Sequence, residues 1–280
     1  MLFLKPFKKF ITKHCPDVAR SYLINRIKRE MRRHPLEQTP LGFKFSGHRE
    51  MQKGTFEPQE VALIKQHLGT ASVFVDVGAN LGYFACLARF LNKHVIAIEP
   101  SLENLEYLYR NLDSNGWNDV EVFPLGLSSR SSIAKMYGGG TSASLLSSWG
   151  GQSDSLQRTI ALTTLDTLVG ERFNGQKLMI KIDVEGVEYD VLKGAFKTLA
   201  LVPNPVWHIE IGLTEHFPGG INPHFEDIFN LFWAHGYDAW TIGTDKRMVK
   251  PDDISRWIKN RQIDFGGYNY LFENTKSSLQ

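Results

Sequence analysis

Two hydrophobic periods alternate along the chain. Val73, Phe74, Val75 and Val77 form a nearly continuous apolar run broken only by Asp76, the pattern of a parallel strand covered on both faces. From Tyr83 to Asn92 the apolar positions fall at helical spacing, and Val95 to Ile98 makes a second strand that closes on Glu99 and Pro100. The alternation continues with a helix over 102–112, strands over 120–123 and 179–183, a helix over 189–199 and a strand over 206–211. Phe225, Ile228, Phe229 and Phe232 recur at i, i+3, i+4 and i+7, so a helix capped by Gly236 is expected, with strands over 239–242 and 269–272 behind it. Upstream, residues 39–68 read as a short β segment, a turn at Lys53 and Gly54, and a helix opening near Pro58. Strands alternating with helices predict an α/β fold: a mostly parallel seven-stranded sheet with a C-terminal antiparallel strand and helices on both faces.

The turn after the first of these strands carries chemistry. Gly78 and Gly82 bracket Ala79, Asn80 and Leu81 in VGANLGY, a spacing that lets the backbone turn sharply and offer amides to a ligand at the start of a helix. A dinucleotide fingerprint needs glycine where Asn80 stands, which weighs against a nicotinamide or flavin oxidoreductase. Glu99 lies 21 residues past Gly78 at the end of the next strand. A carboxylate there binds both ribose hydroxyls of an adenosine ligand in doubly wound folds. The bland alternative is a solvated loop acid.

Bulk properties set the frame. A chain of 280 residues with 42% hydrophobic content suits one large domain with an appendage. The two cysteines, Cys15 and Cys86, are too few for a disulfide framework, and no CxxC or HExxH spacing occurs, so a cytoplasmic location is the expectation. No apolar run reaches the roughly 18 residues of a membrane helix. The net charge of +2 is unevenly spread: residues 1–33 hold ten Lys or Arg against Asp17 and Glu30, or +8, which leaves −6 for the remainder. Leu23, Ile24, Ile27 and Met31 make a helical stripe among these cations. Residues 1–38 therefore read as a basic, mostly helical extension, either packed on the domain or lying at an anionic membrane surface. Residues 39–275 form the domain and 276–280 a tail. Segment 138–155, GGGTSASLLSSWGGQSDS, is too rich in Gly and Ser for regular packing and is expected to be a mobile loop; Trp149 in its middle favours a lid over a site.

A second signature follows the strand at 179–183, where the chain reads KIDVEGVEYDVLKGA over 181–195. Strand alternation puts Lys181, Asp183 and Glu185 on one side, at the carboxyl end of a central strand where open α/β sheets bind ligands. An ordinary ion pair between Lys181 and Asp183, with Glu185 and Glu188 opening the next helix, is the competing reading. With GTFEPQE at 54–60, FVDVGANLGYF at 74–84, IEP at 98–100, TLDTL at 164–168 and IEI at 209–211, this block makes the chain resemble the FkbM-type methyltransferases. The resemblance runs from about Thr39 to Phe272 and omits the basic arm and the Gly/Ser loop. It implies a Rossmann-like methyltransferase fold, S-adenosylmethionine as cofactor, and O-methylation of hydroxyls on sugars, glycans and related natural products.

Roles follow from that implication. For the cofactor, Asp76 is assigned to the turn and the amino-acid end, Gly78, Asn80 and Gly82 to close backbone approach, and Glu99 to the ribose. Glu57 belongs beside the site by resemblance, although capping the following helix explains it equally well. Ser128 stands, with Ser129, where relatives often carry an Asp for the adenine. An aliphatic hydroxyl is a weak acid, so its methylation needs a base: Asp183 leads as base or acceptor orienter, with Lys181 as its partner and His208 and Glu210 as a second pair on the neighbouring strand. A divalent metal is not expected; were one present, Asp183, Glu185 and Glu210 would supply its oxygen ligands. The expected partner is a small-molecule or glycan hydroxyl acceptor. Nucleic acid is disfavoured because Asp183-Val184-Glu185-Gly186 replaces the Asp/Asn-Pro-Pro-aromatic segment of base-amine methyltransferases. Methylation of nitrogen or nucleic acid, and a non-catalytic cofactor-binding or membrane-docking module, are the rival readings.

Overall fold

In the computed structural model, which describes residues 33–274 apart from 153 and 244 together with residues 21, 25 and 29, the main sheet has eight strands rather than seven. The stripe read at Leu23, Ile24, Ile27 and Met31 and the tail 276–280 lie outside the described residues. Strands β1 (Glu37–Gln38) and β2 (Lys44–Phe45) pair as a small antiparallel hairpin. Then β3 (Val73–Val77), β4 (His94–Ile98) and β5 (Glu121–Phe123) run parallel to one another. Strands β6 (Gly126–Leu127), β7 (Ser132–Tyr137) and β8 (Gln157–Thr163) leave the main sheet and form a second one in the order β6-β8-β7. The main sheet resumes with β9 (Leu178–Ile182), β10 (Val206–Glu210), β11 (Asp238–Thr241), β12 (Met248–Val249) and β13 (Asn269–Glu273). Its order is β12-β11-β13-β10-β9-β3-β4-β5, with β13 antiparallel to both neighbours. The unforeseen eighth strand is β12, a two-residue edge too short to carry a hydrophobic period.

Side chains alternate between the two faces of the central strands. Val73, Val75 and Val77 join Ile180, Ile182, Trp207 and Ile209 on one face, under the helices Phe225–Ala234 and Pro251–Asn260. Phe74, Val95, Ala97 and Met179 face the other way, under Pro58–Leu68 and Tyr83–Phe90. Burial on both faces is why these strands read as unbroken apolar runs. The helix expected over 189–199 is split into Glu188–Lys193 and Phe196–Leu199. The reason lies at Gly194, where a Cβ would stand 2.3 Å from the carbonyl oxygen of Ser128, so the chain bends to let the second sheet approach. Among the described residues no helix is long and apolar enough to cross a membrane.

Candidate active site

Strand order reverses between β3 and β9: the chain runs from β3 outward through β4 and β5, then returns to place β9 and β10 on the opposite side. Such a reversal opens a crevice at the carboxyl ends of the strands. Here it is lined by Gly78 and Asn80 after β3, Glu99 after β4, and Asp183 and Glu185 after β9. Gly78 (φ +83) is what lets the two central strands come this close, because a Cβ on it would lie 1.8 Å from the carbonyl oxygen of Asp183.

The turn itself differs from an anion-binding loop. The amides of Gly78 and Ala79 both donate to the carbonyl of Ile98, and Asn80 N donates to Glu99 Oε2 at 2.8 Å. The amides expected to be free for a ligand are thus held within the protein, and a carboxylate occupies the place where a pyrophosphate would dock. Glu99 also accepts from Ser101 N at 2.7 Å and Asn104 Nδ2 at 3.2 Å through Oε1. It is buried, and burial raises its pKa to about 7 against the pull of these three donors. Leu125, with Leu127, Met136 and Ile160 of the second sheet, makes the apolar wall opposite.

Two of the residues assigned to the cofactor fall outside the crevice lining. Gly82 (φ +84) starts the helix Tyr83–Phe90 and does not line the crevice; a Cβ there would meet Leu108 Cδ1 at 2.3 Å, so it serves helix packing. Ser128 also stands outside the crevice, its amide bonded to Thr163 O and its carbonyl against Gly194. The wall it was expected to join is built by Leu125–Leu127 just before it.

Beneath the crevice runs a buried polar row. Asp76 is in register with Lys181, and Lys181 with His208, so the three share one face of the sheet. Lys181 Nζ donates to Asp183 Oδ2 at 2.7 Å and lies 5.1 Å from the centre of the Phe84 ring. Burial alone would strip Lys181 of its proton, but the charges of Asp183, Asp76, Glu60 and Glu57 outweigh it and hold the pKa above the ordinary lysine value. Asp76 is buried with neither oxygen in a hydrogen bond, and burial pushes its pKa to about 6. His208 is fully buried, 3.4 Å from Glu60 Oε2, and its pKa is held well below the ordinary value by burial and by Lys181. Neither Lys181 nor His208 lines the crevice. Lys181 stands behind Asp183, bonded to it, and His208 lies against Glu60, so neither is placed to touch a ligand in the crevice. Glu57 occupies the N-cap of Pro58–Leu68 in the left-handed region (φ +43) with no side-chain cap bond. Its pKa is raised by burial, against the opposing charge of Lys181.

A second pocket opens from the first across Glu185, lined by Glu188, Glu210, Trp149 and Tyr268. Trp149 Nε1 donates to Glu185 Oε2 at 2.7 Å. Its ring packs so closely on Gly186 (φ +97) that a Cβ there would stand 2.5 Å from Cζ3. Burial, reinforced by the Asp183 charge, lifts Glu185 to about 7 and Glu210 to about 9. Segment 138–155 uses its small residues rather than leaving them loose. Gly140 O accepts from Asn104 Nδ2, Ser144 Oγ donates to Glu185 O at 2.6 Å, and Gly150 N donates to His216 O. Among the described residues no three His, Cys, Asp or Glu side chains are arranged to hold a metal ion, so Asp183, Glu185 and Glu210 do not assemble into the ligand set considered for them.

Sequence reasoning missed Glu60, Asn104 and Tyr268. Glu60 carried a signal, since it shares a helical face with the buried Ile64; burial raises its pKa to about 8 and it accepts from Asn269 Nδ2. Asn104 had none, because its bond to Glu99 depends on how the turn before its helix folds, and Tyr268 had none, because its neighbours Glu185 and Glu210 are distant in the chain.

The Methyltransferase FkbM domain matches residues 76–239, from Asp76 through Asp183 and Glu210 to β11. The hexuronic acid methyltransferase AglP of Haloferax volcanii is 29% identical over 161 residues, 56% of this chain and 64% of that protein, so the likeness spans less than two thirds of the relative. Among solved structures, precorrin-6y C5,15-methyltransferase of Geobacter metallireducens is 10% identical with TM-score 0.40, covering 81% of this chain and 91% of that one. Ribosomal protein L11 methylase of Lactobacillus delbrueckii is 14% identical with TM-score 0.41, covering 82% and 80%. With more than half of its length matched by the domain that contains the crevice, the chain belongs to the FkbM methyltransferase family.

Proposed function

We propose that the protein is an S-adenosylmethionine-dependent O-methyltransferase acting on a hydroxyl of a sugar or glycan. The observation that supports this best is the pinned Glu99 carboxylate facing Asp183 and Glu185 across one crevice at the strand reversal. A carboxylate held by Asn80 N, Ser101 N and Asn104 keeps lone pairs for two ribose hydroxyls, and the adenine would lie against Leu125, Leu127 and Met136. A turn without free amides suits a ligand that brings no phosphate. AglP, a relative whose name specifies a hexuronic acid substrate, supports a sugar acceptor.

When bound, S-adenosylmethionine supplies an electrophilic methyl on a sulfonium whose thioether leaves without an acid. As the acceptor oxygen took up that methyl, its hydroxyl proton would pass to a carboxylate of this chain. Asp183, fixed by Lys181, orients the acceptor. Glu185, which lines both pockets with a pKa of about 7, is matched to accept the proton near neutrality. Alignment is worth on the order of 7–11 kcal/mol and the base roughly 10²–10⁴ in rate. The free volume of the crevice is about 60 Å³, far below the roughly 300–1,000 Å³ of small-molecule sites. Gly140, Thr141, Ala143 and Leu145 roof it, so segment 138–155 acts as a lid that lifts for entry.

The test is incubation of the protein with methyl-labelled S-adenosylmethionine and glycan, lipid and polyketide fractions. Label in a base-stable ether of the glycan fraction supports the reading. Label only in amines, nucleic acid or non-glycan fractions overturns it.

A further inference from the structure

Tyr268 stands between two cavities. It lines the acidic pocket beside Glu185 and Glu210 and also a larger groove walled by Gln59, Arg247, Phe265 and Asn269. Its carbonyl accepts from Ile211 N at 2.6 Å, which anchors the residue at the end of β10, yet 47% of it is exposed. The ring is therefore held in place with surface to offer. The two cavities differ in size, about 120 Å³ for the pocket and about 590 Å³ for the groove. Seating one methyl-accepting hydroxyl explains the first and leaves the second unexplained.

The groove is lined for a polyol. Arg247 lies over the Phe265 ring, its Cζ 5.3 Å from the ring centre, and makes a second planar wall. Asn269, which gives its Nδ2 to Glu60 Oε1 at 2.8 Å, adds a polar group to the lining. A sugar presents hydroxyl edges to the polar groups of this lining and a C–H face to the exposed Tyr268 ring. An alkyl chain would desolvate the polar lining made by Gln59, Asp245 and Arg247.

We propose that the acceptor is a saccharide of at least two units, with the unit to be methylated between Trp149 and Tyr268 and its neighbour in the groove beyond Tyr268. This rests on the sugar O-methyltransferase reading and narrows its substrate class.

The experiment is saturation-transfer NMR on the full chain with S-adenosylhomocysteine present, using neutral, amino and uronic mono-, di- and trisaccharides as probes. At least one di- or trisaccharide is expected to bind ten or more times tighter than either of its constituent monosaccharides. Tyr268→Ala should weaken that binding tenfold or more, Tyr268→Phe should retain it, and Arg247→Ala should shrink the advantage over the monosaccharide at least threefold. Equal affinity for mono- and disaccharides, no saccharide binding, or a disaccharide advantage that survives Tyr268→Ala and Arg247→Ala overturns the proposal. Calorimetry with S-adenosylmethionine on the same samples separates the two levels: intact cofactor binding leaves the methyltransferase reading standing, and absent cofactor binding removes its foundation.

Discussion

Replacing Gly78 with alanine tests how the crevice is built, and Gly82→Ala supplies the comparison. Both positions have nearly the same positive φ, +83 and +84, so each alanine carries about 1–2 kcal/mol of left-handed strain. They differ in what the new methyl meets. At Gly78 it falls 1.8 Å from a backbone carbonyl, that of Asp183, roughly 1.2 Å short of the 3.0 Å that real Cβ contacts respect; at Gly82 it meets the end of the Leu108 side chain, which can rotate away. The clash between two central strands adds about 1–3 kcal/mol of overpacking, so Gly78→Ala should lose about 2–5 kcal/mol and Gly82→Ala about 1–2. Displacement of Asp183 by about an ångström is of the size that costs roughly 10²-fold in reactions dependent on alignment. Urea denaturation gives the stabilities and calorimetry the affinity for S-adenosylmethionine. We expect at least tenfold weaker cofactor binding for Gly78→Ala and less than a threefold change for Gly82→Ala. Equal losses in the two variants would refute the view that only Gly78 shapes the crevice.

Three further outcomes follow from the buried charges. Ribose hydroxyls donate to the ionised form of Glu99, whose pKa stands at about 7, so affinity for S-adenosylmethionine should rise by up to about tenfold per pH unit below 7 and level off above it; calorimetry across pH checks this, and Glu99→Gln should bind weakly and lose that slope. Glu60 and Glu210 have folded pKa values near 8 and 9, above the unfolded value of 4.5, so the folded state holds extra protons between these limits and stability should fall as pH climbs from about 5 to 9. Glu210→Gln should flatten that decline in urea titrations. Lys181→Met leaves Asp183, Asp76, Glu60 and Glu57 without their shared counter-charge and should cost about 3–5 kcal/mol, with Lys181→Arg recovering part of it.

The layout of the main sheet was legible because its central strands are covered on both faces and so leave runs such as VFVDV and LMIKI in the sequence. The second sheet was not. In β7 the side chain of Ile133 is 76% exposed while Met136 is buried, so the hydrophobic period that marks a half-buried strand is broken. The contacts of segment 138–155 were hidden for a related reason. Its glycines and serines suggest looseness, whereas Ser144 and Gly140 are tied to Glu185 and Asn104. That Glu99 and Asp183 would meet at one crevice was readable from their places at strand ends, since topology brings such ends together. Gly82 and Ser128 fall outside the crevice lining because proximity along the chain to a turn does not decide which way a backbone faces. Whether Lys181 and His208 point into a crevice or stand behind it depends on the helix Pro58–Leu68 that covers them, which strand alternation cannot reveal.

The most direct measurement is an amide-resolved NMR titration of the full chain with S-adenosylmethionine. Binding in the crevice should move the resonances of Gly78, Asn80, Glu99, Asn104 and residues 140–145, with β11 and β12 unchanged and the response lost in Glu99→Ala. Unperturbed spectra at millimolar cofactor, or shifts confined to the far edge of the sheet, would contradict a methyl-donor site at the strand reversal.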